Sequence, residues 1–226
     1  MRYQTLFTAT LAAGLTVAAM CSAATVHTSH VSFAAAAPQS SDVILPNTGG
    51  QGATGTVGPL TFTAGPGATN VFFGTAGLST PIPGGWSSLL SGNDLAISGP
   101  ENFELNVAGG AYALGFEIHE PTLDQNTTDG CFAVCFDTEL FVEWLRGGTV
   151  IASQTVFPID NGLSFVGYTD AVAFDGVRVT DVTNTIDEEH FGNFQLAQTP
   201  VPVPLPATGM VLFGGLMAAF ARRRAR

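Results

Sequence analysis

From Phe103 onward, apolar and polar residues alternate along the chain with a period of two. Phe103, Leu105 and Val107 alternate through "FELNV", and Tyr112, Leu114, Phe116 and Ile118 through "YALGFEIH". Side chains two apart share one face of a strand, so each run predicts a strand with one buried face. "TELFVEWLRGGTVIASQTVF" holds two β-rich runs joined at Gly147-Gly148 and predicts a hairpin. "LSFVGYT", "AFDGVRVTDV" and "HFGNFQLA" predict three more strands. Between Ser40 and Gly85 the turn clusters "NTGGQGATGTVGP" and "STPIPGG" set off short β segments such as "LTFTA" and "NVFF". Helical periodicity of useful length and internal repeats are both missing from this region. Closely spaced strands without intervening helices predict an all-β fold, an antiparallel β-sandwich over residues 42–198.

The periodicity changes at both ends. Arg2, an apolar stretch from Leu6 to Met20 and the small residues Ser22, Ala23 and Ala24 describe a secretory signal peptide, residues 1–24. Cleavage is expected after Ala23 or Ala24. A lipoprotein anchor at Cys21 is disfavoured by the bulk of Met20 before it. Residues 25–41 read as a flexible linker. At the other end, residues 199–226 divide into a proline-spaced linker (199–207), an uncharged apolar run (208–221) and an arginine cluster (222–226). As a helix the run of 14 spans roughly 21 Å against a hydrocarbon core of about 30 Å, short for a permanent transmembrane helix. Arg222, Arg223, Arg224 and Arg226 would stop transfer and stay on the cytoplasmic side.

These residues resemble a known sorting signal. Val203-Pro204-Leu205-Pro206-Ala207, the short Gly-containing apolar segment and the Arg-rich end are similar, in order and spacing, to PEP-CTERM tails of the VPLPA variant. The resemblance implies a signal peptidase and an exosortase-type membrane peptidase as processing partners. It also implies an inner-membrane precursor and a final place at the cell surface or in the exopolysaccharide matrix. Leu205 to Gly209 also fits the LPXTG pattern of sortase-anchored wall proteins. The short span, the lack of lysine and the absence of a long wall-spanning linker weigh against that alternative. The order of strands from Phe103 to Ala197 resembles the jelly-roll domains of exported PEP-CTERM proteins. Related carbohydrate-binding jelly rolls hold a structural calcium through an acid in the last strand, where this chain has Asn193.

Charge narrows the partners further. All eighteen acids lie between Asp42 and Glu189 with only Arg146 and Arg178 among them, so this stretch carries a formal charge of −16. Such a surface repels nucleic acid and anionic headgroups. The cysteines left after signal removal, Cys131 and Cys135, are expected to form a disulfide in an oxidising compartment. Their C-x3-C spacing with no helix start disfavours a redox pair, and a zinc site would have only His119 and His190 to complete it.

Candidate chemistry is sparse. Glu117 and Glu143 alternate out of phase with apolar neighbours on separate predicted strands, so they read as sharing the polar face of one sheet, a pair that a glycosidase would need across one cleft. Asp187, Glu188 and Glu189 are weak calcium candidates, because the run lacks the spaced acids of a dedicated loop. Trp86, in a loop-like stretch after Gly84-Gly85, is the candidate for stacking on sugar; Trp144 alternates in phase with core positions. No nucleophile motif accompanies the histidines, and no cofactor is implied beyond calcium. The sequence thus predicts a non-enzymatic exported surface or matrix protein. A carbohydrate-binding module for exopolysaccharide is the alternative, and a glycoside hydrolase a more distant one.

Overall fold

The computed structural model describes residues 24–74, 89–120, 138–159, 162–183 and 189–200. In chain order these form β1 (Thr25–His27), α1 (His30–Ala36), β2 (Ser41–Asp42), β3 (Gly49–Gly50), β4 (Thr54–Val57), β5 (Leu60–Ala64) and β6 (Asn70–Gly74). There follow β7 (Asp94–Ser98), β8 (Phe103–Glu120), β9 (Leu140–Arg146), β10 (Thr149–Val156), β11 (Gly162–Asp181) and β12 (His190–Ala197). Every recorded strand pairing is antiparallel.

Two long strands build both layers of the sandwich. The runs "FELNV" and "YALGFEIH" are one continuous strand, β8, and "LSFVGYT" and "AFDGVRVTDV" are likewise continuous in β11. The first half of β8 pairs with β5 and with the second half of β11, which pairs in turn with β9. The second half of β8 pairs with β12 and with the first half of β11, which β1 edges. One layer therefore runs β10-β9-β11-β8-β5-β4. The other runs β1-β11-β8-β12-β7-β6-β3, with β2 also on β12.

The fold-over between layers occurs where Gly109 and Gly110 take φ of 82° and 77°, a left-handed region that side chains other than glycine rarely occupy. The β8–β11 register slips at the same place, between Thr169 and Phe174. Arg146 secures the slipped segment. Its guanidinium donates to the carbonyls of Val172 and Ala173 and meets the Asp170 carboxylate at 2.7 Å.

Between the layers lies a phenylalanine-rich core. Phe62 of β5 meets Phe194 of β12 at 5.3 Å between ring centres, and Phe103 meets Phe191 edge-on at 4.9 Å. Leu114, Phe116 and Ile118 point into it from β8, as their alternation predicts. Burying each such side chain contributes about 1.5–3 kcal/mol. Trp144 and Tyr168 pack against each other in this core at 5.3 Å, so neither is a surface platform.

The expected linker over residues 25–41 is instead structured. β1 pairs with β11, and α1 follows it, capped by Ser29, whose hydroxyl accepts the Ser32 N–H. The helix stops where Pro38 disfavours helical φ and ψ at Ala37. Its one buried side chain, Phe33, seals it to the outer face of the second layer. Glycine makes that contact possible: a Cβ on Gly115 would stand 2.6 Å from the Phe165 ring, and one on Gly167 2.7 Å from the Phe33 ring. Apolar burial, invisible to a helical period in seven residues, orders this segment. The expected signal helix, the C-terminal membrane helix and residues 201–226 lie outside the described residues. Among the described residues no helix is long and apolar enough to cross a membrane.

Candidate functional site

The outer face of the second layer carries the positions out of phase with the core: Gly115, Glu117 and His119 on β8, Phe165 on β11, Gly192 and Gln195 on β12. α1 covers one end of this face. Beside it opens a cavity of about 510 Å³, walled by His30, Asp42, Ile44, Ser91, Asn93, Glu117, Phe165, Asn193 and Gln195 among others. Six separate stretches of chain meet there.

A β-bulge sets the floor. The β12–β8 register shifts between Gly192 and Gln195, and Asn193 takes φ of 49°, unusual for a residue with a Cβ. This turn points the Asn193 amide along the face, where its Nδ2 donates to Glu117 Oε2 and its Oδ1 accepts from the Ser91 hydroxyl at 2.8 Å. Gln195 Nε2 reaches His30 Nε2 at 2.8 Å and Asp42 Oδ1 at 3.2 Å. Asn93 Nδ2 donates to the Leu45 carbonyl at 2.7 Å, tying down the rim. Ile44, 84% exposed, and the mostly buried Phe165 supply apolar surface beside these polar groups.

A different acidic group lies in the interior. Glu101, Asp181 and Glu189 are each at most 3% exposed. Thr138 joins them to Glu120: its hydroxyl donates to Glu189 and its N–H to Glu120 Oε1 at 3.0 Å. Burial, reinforced by the carboxylates of Glu189 and Asp181, pushes the Glu101 carboxyl up to about 12, so Glu101 keeps its proton at neutral pH. Next to Glu117 on β8, His119 stacks on His190 at 6.2 Å, and His190 Nδ1 lies 3.1 Å from Asp94 Oδ2. Burial and the neighbouring His190 hold His119 below its ordinary range, against the opposing pull of Asp94.

The structure separates the expected carboxylate pair. Glu117 lines the cavity, whereas Glu143 sits on β9 in the other layer, 3.3 Å from Arg178. The bends in β8 and β11 divide strands that adjacency alone would join. Glu189 is a buried hydrogen-bond acceptor rather than part of a solvated acidic run, and Asp187 and Glu188 lie outside the described residues. So do Cys131, Cys135 and Trp86. Among the described residues, no group of three or more His, Cys, Asp or Glu is arranged to hold a metal ion. Sequence reasoning missed Asp42, Ser91, Asn93, Asn193 and Gln195 as cavity residues. The one signal available was their polar character.

No protein-family profile and no curated protein matches the chain. Among solved structures it is similar to a cyclase from Fischerella sp. TAU in complex with 4-(1H-indol-3-yl)butan-2-one. Identity is 15% over 67% of this chain and 90% of that chain, with a TM-score of 0.39. It is similar also to the xylan-binding domain from CBM 22, at 14% identity over 71% of this chain and 100% of that one, TM-score 0.38. A third is the family 11 carbohydrate-binding module of a cellulosomal cellulase of Clostridium thermocellum, at 10% identity over 72% and 98%, TM-score 0.33.

Proposed function

We propose that the β-sandwich is a non-catalytic carbohydrate-binding domain and that the cavity beside α1 is its ligand site. The observation that carries this reading is the cavity itself. Its size suits a small ligand, and it combines convergent amides, carboxylates and a hydroxyl with an apolar edge. Sugars present both hydroxyls and apolar ring faces, so a wall of this mixed kind suits them. Titration with an oligosaccharide panel followed by calorimetry or NMR tests the reading. Binding that Asn193→Ala abolishes in a folded protein supports it, and failure of every glycan to bind overturns it. Turnover of a bound glycan that Glu117→Gln removes would replace the binding domain with a hydrolase.

The delivery system is part of the same proposal. The signal-like N-terminus and the VPLPA tail support export, exosortase-type processing and a final place at the cell surface or in the matrix. Intact mass of the surface-exposed protein checks it: loss of the tail is expected, and retention through Arg226 would reduce the tail to a plain short anchor.

A further inference from the structure

We infer that the cavity selects glycans carrying free amino groups, and excludes uronate-rich ones; this rests on the carbohydrate reading. The inference comes from counting donors and acceptors on the wall. Both hydrogens of the Gln195 amide are used, toward His30 Nε2 and Asp42 Oδ1. The Asn193 amide donates to Glu117, the Ser91 hydroxyl donates to Asn193, and the Asn93 amide donates to a backbone carbonyl. Each of these side chains thus spends at least one hydrogen on a protein acceptor, and only the Asn193 and Asn93 amides keep a second one.

The acceptors are not used up. Asp42 and Glu117 each have two oxygens with about four lone-pair positions between them, and each takes one of these amide hydrogen bonds. Among the described residues no lysine or arginine lines the cavity. The two arginines of the sandwich, Arg146 and Arg178, stand in ion pairs with Asp170 and with Glu143 and Glu104, on strands of the other layer. A ligand that brings donors and positive charge therefore matches the two carboxylates better than one that brings negative charge. A protonated sugar amine brings up to three donors and a positive charge to the two carboxylates, a charge-assisted contact that a hydroxyl cannot equal. A uronate brings its carboxylate to two others and meets no lysine or arginine among the described lining residues.

Three oligomers of equal length distinguish the cases: glucosamine, N-acetylglucosamine and galacturonate, titrated separately into the full sandwich at a pH where the amine is protonated. The expected order is amine, then acetamide, with the uronate not binding. Glu117→Gln is expected to weaken the glucosamine oligomer about tenfold while changing the acetylated one much less. Glu104→Gln, an equal charge change in the other layer, is expected to leave that ratio alone. Tighter binding of the acetylated or uronate oligomer overturns the inference but leaves the carbohydrate reading standing. Equal losses in Glu104→Gln and Glu117→Gln also overturn it, because attraction to the overall acidic surface would then suffice. Failure of all three to bind counts against the carbohydrate reading itself.

Discussion

Two groups of carboxylates in this sandwich do opposite things, and burial decides which. Asp42 and Glu117 stand in an open cavity, partnered by amides and in reach of water. Glu101, Asp181 and Glu189 are enclosed, and burial first, then the Glu189 and Asp181 carboxylates, keep a proton on Glu101. The first group can meet a ligand as charge. The second is internal structure whose cost depends on pH. Acidic composition alone gives no way to tell them apart, since both add equally to the formal charge.

The largest effect expected comes from opening the cavity around the first group while sparing the second. Phe33→Ala deletes the side chain that fixes α1 against Gly115 and Gly167. Loss of a buried phenylalanine costs about 3–5 kcal/mol. Urea denaturation is expected to show a loss of that order, and glycan binding is expected to disappear with the His30 wall. Unchanged binding would mean that α1 does not define the cavity.

The next effect tests the enclosed group. Glu101 rises from an ordinary value of 4.5 to about 12, first through burial and then through Glu189 and Asp181. Above pH 4.5 the folded state holds a proton that the unfolded state releases, so this group's contribution falls as pH rises. One proton corresponds to about 1.4 kcal/mol per pH unit. Glu101→Gln is expected to remove that slope and to gain stability relative to the wild type from pH 5 to 8, as read by denaturation at each pH. His119 has the opposite sign. Its lowered value means that the unfolded state takes a proton first, so stability is lost as pH falls below about 6.5. His119→Leu is expected to flatten the acid side only, and a change on the alkaline side would reassign the effect.

How much of this is legible in the sequence follows from the range of each interaction. Strand alternation is local, and it finds β8, β9, β10, β11 and β12 together with their inward residues Phe116, Val142 and Phe191. It splits β8 and β11 because Gly109-Gly110 and the stretch around Asp170 break the alternation, although the backbone carries on through both. The α1 segment is missed because seven residues with one buried side chain show no helical period. The cavity is the least legible feature. Its polar residues come from positions 30, 42, 91–93, 117, 193 and 195, and only register brings them together. The pairing of Asp42 with Gln195 and of Glu117 with Gly192 is a long-range fact that no spacing announces. Glu117 and Glu143 show the same limit in reverse: similar patterning suggests one sheet face, and the bends place them in two layers.

The smallest effect separates backbone from side chain within the cavity itself. Asn193 sits at φ 49° in the β12 bulge, where a residue with a Cβ carries a cost of roughly 1–2 kcal/mol and glycine does not. Its amide also links Ser91 to Glu117. Asn193→Gly keeps the bulge and removes the amide, whereas Asn193→Ala removes the amide and keeps the strain. The alanine variant is expected to be about 1 kcal/mol less stable than the glycine variant. Glycan affinity is expected to fall equally in both. Denaturation and titration on the same two proteins give both readouts. Retained binding in Asn193→Gly would show that the bulge shapes the cavity while the amide is dispensable. Equal loss in both means that Glu117 is held for the ligand by the amide, the arrangement that keeps its carboxylate unlike those of the enclosed group.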